Sequence, residues 1–280
     1  MELNNAEACG FCKIVNFQQS GMAFAFVYAS YQINLLMKAR LLLIFAAVLL
    51  PLTALFAAPP AHTAWDNLLK KNVTADGKVN YKAFIRDSVE LNKYLKLLSD
   101  NPPEASWTAN QEKAFWINAY NAFTIKLIIK YYPVKSIKDI AGKVPFVNTP
   151  WDIKFIKIGK ETLDLNNIEH TKLRKKFNDY RIHFALVCAA KSCPILLNAA
   201  YTPEKLESQL DAQGRAFLKD VKRNQVSATT PKVSKIFDWY AMDFKKGNQT
   251  VLDVINKYSD VKINANAKLE YLTYDWTLNE

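Results

Sequence analysis

Glycine is scarce in this chain, 7 residues in 280. No Gly-rich run is present to wrap backbone amides around a phosphate, which argues against a nucleotide-cradling site. Histidine is scarcer still, at 3, and cysteine numbers 4. There is no arginine-rich tract, no nucleic-acid motif, no internal repeat and no low-complexity linker. The net charge of +11 comes mostly from lysines spread along the length. Such a spread favours solubility and association with anionic envelope surfaces, and no nucleic acid is expected as a partner.

The beginning of the chain determines how these residues are to be counted. Met37-Lys-Ala-Arg40 precedes an apolar stretch from Leu41 to Phe56, followed by Ala57-Ala-Pro-Pro60. A positive segment, an apolar core and a small-residue exit make the pattern of a secretory signal peptide, expected over 37–57 with cleavage after Ala57. The core is too short for a confident membrane span, so no stable span is expected. Residues 1–36, with Cys9 and Cys12, then read as an over-extended N-terminus with translation starting at Met37. The rival reading for them is a weak amphipathic segment. The mature chain would run over 58–280, 223 residues with a net charge of +10 once Lys13, Lys38, Arg40, Glu2 and Glu7 are removed. It is expected to be exported, periplasmic or secreted. In such an oxidising compartment the remaining cysteines, Cys188 and Cys193, are permitted to pair.

The best-signalled element is a helix from Ala109 to Tyr132, opened by Thr108 with Gln111 three residues on and closed by Pro133. Its first half is apolar nearly all round, which places it in the core. Asn118 and Asn121 sit three apart on one of its stripes and need partners, either fastening a loop or lining a cleft. Shorter helices are expected at 65–71, in a stretch entered through Lys78-Val-Asn-Tyr81, from Ser88 until Asn101-Pro-Pro103 stops it, from Asn167 to Phe177 and from Thr202 to Val221. Two more are expected from Asp238 to Phe244 and from Thr250 to Tyr258. A hairpin is expected over 153–165, and short strands near 226–228, 232–236 and 269–274. The economical fold class is α+β, one domain over 58–280, with helices packed around a small mixed or antiparallel sheet and a long buried central helix.

The chemistry concentrates in Arg181-Ile-His-Phe-Ala-Leu-Val-Cys-Ala-Ala-Lys-Ser-Cys-Pro194. Ile182 to Val187 reads as a strand buried on both faces, with the cysteine loop at its end. Strand periodicity would turn His183 away from Cys188, making Cys193 the better partner for the imidazole. A helical turn opening at Pro194 would put Cys193 at its positive end and stabilise a thiolate. The competing reading is a structural disulfide across this tight loop. Glu169 and His170, adjacent on a helix, point about 100° apart and do not form one ligand pair. Glu112, in a first helical turn, is either an orienting group or a charge favoured by the helix dipole.

Ala114-Phe-Trp-Ile-Asn-Ala-Tyr-Asn-Ala-Phe-Thr-Ile125, Asn167-Ile-Glu-His170, Arg181 to Cys188, Lys191-Ser-Cys-Pro194 and Tyr274-Asp-Trp276 together form a recognisable series. From Trp65 onward the chain resembles the domain of unknown function 547 family. The resemblance implies an exported bacterial protein and carries over Glu112, Asn118, Asn121, Glu169, His170, His183, Cys188, Ser192 and Cys193 as motif positions. The family often has glycine and proline where this chain has Ala189 and Ile195, so the resemblance does not fix the backbone at 189.

Two functional readings follow. One is a thiol hydrolase or acyl/amide transferase with catalytic Cys193, His183, His170 and Glu112, and Asn118, Asn121, Cys188 and Ser192 binding a small-molecule or peptide-like ligand. The other is a non-enzymatic binding or structural module with a Cys188–Cys193 disulfide. A dithiol redox role is disfavoured by the four-residue spacing of this pair. Zinc held by Cys188, Cys193, His170 and His183 matches none of the usual spacings, and no cofactor is expected.

Overall fold

The computed structural model describes residues 28, 30–38, 40, 58–146 and 148–280. The chain divides into two units, Met1–Phe56 and Ala57–Glu280. Of the first, the described residues are helical. The apolar stretch read as a signal-peptide core, and all of residues 1–27, lie outside the described residues. Among the described residues no helix is long and apolar enough to cross a membrane.

The second unit is α+β and is built around one helix. Helices α1 (Thr63–Asn72), α2 (Tyr81–Arg86) and α3 (Ser88–Asp100) pack as an antechamber to α4 (Ala109–Tyr131). The Thr108 side chain accepts from the Gln111 amide while Gln111 accepts from the Thr108 amide, so the expected capping box is present. From Lys113 to Ile125 every residue of α4 is buried. An apolar, 23-residue helix about 35 Å long therefore serves as the axis that the other elements cover.

The strands fall in two separate pieces, not in one central sheet. β1 (Ile156–Ile158) and β2 (Glu161–Leu163) form the expected antiparallel hairpin, turned through Gly159 in a left-handed conformation. β3 (Lys232–Val233) pairs in parallel with β4 (Glu270–Tyr271). Between the hairpin and β3 run a π-helical segment, Asn167–Arg174, and α5 (Leu206–Lys219), while α6 (Ile236–Trp239), α7 (Ala241–Phe244) and α8 (Val251–Tyr258) connect β3 to β4.

The run from Ile182 to Val187 corrects the sequence reading. It is a 3₁₀ turn, Tyr180–Phe184, followed by irregular chain. A short buried apolar run satisfies either structure, and here a side chain on α4 does the work of a neighbouring strand. Asn121 Nδ2 donates to the Ala185 carbonyl at 2.9 Å, and its Oδ1 accepts from the Val187 amide at 3.0 Å. Both polar backbone groups are satisfied without a ladder.

The turn also joins two apolar clusters. Ile182 packs with the cluster around α4, Phe184 with a second cluster of Phe217, Phe237, Phe244, Val254 and Tyr258. His183, between them, is left at the seam.

Candidate functional site

At that seam opens a cleft of about 280 Å³. Tyr120 and Leu186 come from the first cluster and Ile236 from the second, with His183 between them. Glu169 and His170 enter from the π-helical segment, Cys188 and Cys193 from the loop, and Trp151, Trp239, Tyr240, Tyr274 and Trp276 close it.

The C-terminal segment fixes the cysteine loop. Lys191 N donates to Thr277 O at 2.8 Å, Ser192 N to Asp275 O at 3.2 Å, and Asp275 N to Ser192 Oγ at 2.9 Å. These bonds set Tyr274 and Trp276, two apart on an extended chain and so on one side of it, against the sulfurs and the indole of Trp239. Ala189 takes a left-handed φ of 61°, the conformation in which glycine costs nothing and alanine is strained.

Cys188 and Cys193 are joined by a disulfide with Cα atoms 6.4 Å apart. Cys193 is 1% exposed and Cys188 half-buried. The Tyr274 hydroxyl donates to Cys193 Sγ at 3.1 Å and lies 3.4 Å from Cys188 Sγ. No helix opens at Pro194; the next begins at Leu206. The helix end expected to stabilise a Cys193 thiolate is therefore absent.

His183, 4% exposed, directs Nε2 to Asp243 Oδ2 at 2.8 Å and stacks on Tyr240 at 3.9 Å between ring centroids. Burial pulls its pKa below the ordinary value, against the pull of the Asp243 carboxylate. An uncharged ring bonded to a carboxylate through Nε2 carries its proton there. Asp243 also receives Arg174 Nε at 2.6 Å and Lys246 at 3.2 Å. Burial pushes that carboxyl up, but the bonds from His183, Arg174 and Lys246 prevail and hold it well below the usual carboxylate range. In Tyr240, burial and the nearby Glu169 charge push the phenol up.

The remaining sequence candidates lie elsewhere. Glu112 accepts from Trp116 and pairs with Lys176 at 2.6 Å, clamping the short helical turn that follows the π-helical segment to α4. Asn118 holds both the carbonyl and the amide of Tyr201, at 2.8 and 3.0 Å, and Asn121 holds the 185–187 backbone. Ser192 lines a separate, polar cavity with Lys78, Lys222 and Arg223. The structure thus brings together His170, His183, Cys188 and Cys193 with Glu169, and uses both asparagines as backbone fasteners.

Residues 105–218 match the family described as protein of unknown function, DUF547. This segment carries a DUF547 domain. The matched segment holds α4, the π-helical segment and the cysteine loop. Asp243 and the aromatic wall of Trp239, Tyr240, Tyr274 and Trp276 lie C-terminal to it, so the DUF547 segment supplies about two thirds of the cleft lining and not all of it. No curated protein and no solved structure matches the chain.

Sequence reasoning missed Asp243, Arg174 and Tyr240 as parts of the site. Asp243 lies on a four-residue helix with no motif around it, and sequence carries no signal for its pairing 60 positions away. The aromatic wall left a fainter mark, the alternation of Tyr274 and Trp276. Among the described residues no group of three or more His, Cys, Asp or Glu is arranged to hold a metal ion.

Proposed function

We propose that this protein is an exported, non-enzymatic binding module whose aromatic cleft takes a small-molecule or peptide-like ligand. The observation that carries this reading is the Cys188–Cys193 disulfide under the Tyr274 hydroxyl. A sulfur in a disulfide is no nucleophile, and His183, the buried imidazole of the cleft, is turned to Asp243. What remains is a concave, largely aromatic site with a few polar groups, the usual composition of a ligand pocket. Export is supported by the signal-like pattern at 37–57 and by the oxidising conditions that a disulfide requires.

A thiol hydrolase or acyl/amide transferase is the second reading, favoured by His170, His183 and Cys193 sharing one cleft. It requires prior two-electron reduction of the disulfide. The test compares oxidised and dithiothreitol-reduced protein against a panel of chromogenic esters and amides. The binding reading predicts no turnover in either state. Turnover that appears on reduction and disappears in Cys193→Ser would replace it with the thiol enzyme.

A further inference from the structure

Within the cleft one buried oxygen is left without a hydrogen bond. Glu169 is 6% exposed, and its Oε1 is buried with no hydrogen bond. Leaving a buried carboxylate oxygen unpaired is costly, and in a native structure such an oxygen calls for a cause: strain, a functional role, or a water, ion or ligand that pairs with it.

The Tyr240 hydroxyl bonds to the Glu169 carboxylate, but no neighbour gives Oε1 itself a hydrogen bond. His170 Nδ1 lies 3.8 Å from Oε1, but the same nitrogen sits 2.9 Å from Arg174 Nη1. A guanidinium has protons to give and no lone pair to receive one, so Nδ1 is the acceptor in that contact. It cannot also offer Glu169 a proton. Arg174 in turn spends its Nε on Asp243 at 2.6 Å. The positive charges on this side of the cleft are thus committed to Asp243, and the charge of Glu169 is not neutralised by a direct ion pair.

Around this carboxylate stand Trp151, Trp239, Tyr240, Tyr274 and Trp276. Aromatic faces carry partial negative charge and attract cations, while offering nothing to an anion. An acidic oxygen lacking a donor, set among aromatic rings, specifies its occupant by three properties. The ligand must be positively charged, must carry an N–H to give Oε1, and must have apolar substituents for the rings. Resting on the binding reading above, we infer that the cleft takes an alkylammonium group, with Glu169 Oε1 as its hydrogen-bonded counter-charge and the tryptophan and tyrosine rings as its cage. The chain's overall positive charge opposes such a ligand only at long range, since salt screens it beyond roughly 8 Å at physiological ionic strength.

The test uses three probes of one shape and different charge, butylammonium, butan-1-ol and butanoate, titrated into the full oxidised protein. Binding is read by the fluorescence of the cleft tryptophans and by calorimetry. Butylammonium is expected to bind at least tenfold more tightly than either of the others. Glu169→Gln is expected to remove that preference, with its circular dichroism and melting temperature recorded to show that it folds. The ranking of probes on the wild-type protein needs no variant and stands if Glu169→Gln does not fold. Equal or tighter binding of butanol or butanoate overturns the inference while leaving a binding cleft in place. Undiminished butylammonium preference in a folded Glu169→Gln overturns it as well. Binding of none of the three overturns it too, and if ester turnover appears on reduction in the same preparation, the binding reading falls with it.

Discussion

Two buried histidines make the clearest residue-scale statement about this protein. His62, whose Nδ1 lies 2.8 Å from the Tyr94 hydroxyl, is pulled by burial to a pKa of about 4 from an ordinary 6.5. His183 is also lowered, chiefly by burial. A histidine depressed in the folded state takes up its proton preferentially on unfolding. Its contribution to stability is therefore complete above pH 6.5 and is lost as the pH falls toward 4 for His62. The slope is about 1.4 kcal/mol per pH unit for each such histidine. Urea midpoints measured between pH 7 and 4.5 should fall accordingly, and His62→Gln, which keeps a partner for Tyr94, should flatten the slope. An unchanged slope in that variant would exclude His62 as the source. Asp243, held well below the usual carboxylate range, contributes stability that is lost mainly below the ordinary carboxylate pKa of about 4, beneath this window.

At the scale of elements, the parts legible in the sequence were those whose signals are local. Thr108 and Gln111 announce α4, and the hairpin over 153–165 is equally local, because a cap or turn uses residues within four positions of each other; the capping box of Thr250 and Asp253 at the start of α8 is of the same kind. The chain over 182–187 was misread as a strand because what organises it is not local. Its backbone partners are the amide of Asn121, more than 60 positions earlier. The need of Asn118 and Asn121 for partners was readable; which backbone they fasten was not. Asn121→Ala should leave a buried carbonyl and a buried amide unpaired and cost about 2 to 5 kcal/mol. The check is urea denaturation, with loss of the cleft-tryptophan fluorescence signature as the sign that the 185–187 segment has shifted. A cost under about 0.5 kcal/mol would mean that this segment holds its course without α4. The left-handed Ala189 was likewise undecided by sequence, since alanine pays for that backbone and only the surrounding bonds, Asn279 N to Ala189 O among them, impose it.

At the scale of the whole molecule, the α+β class and the long buried helix followed from periodicity and composition, whereas the cleft did not. It exists because the 3₁₀ turn carries Ile182 into one apolar cluster and Phe184 into another, leaving His183 at the seam. The C-terminal segment then returns to lay Tyr274 and Trp276 across the cysteine loop. Residues from 120 to 276 meet there, and such a meeting is a property of packing, which no linear spacing encodes. The sequence did carry the two ends of the argument: the cysteines at 188 and 193 and the option that they pair.

That pairing separates a binding cleft from a thiol enzyme, and one measurement addresses it. The protein is alkylated with iodoacetamide during lysis, without reductant, and its intact mass and the peptide spanning 181–201 are recorded. The account predicts a peptide lighter by two hydrogens than its reduced form, with neither Cys188 nor Cys193 alkylated. A carbamidomethyl group on Cys193 in the folded protein as isolated would contradict it.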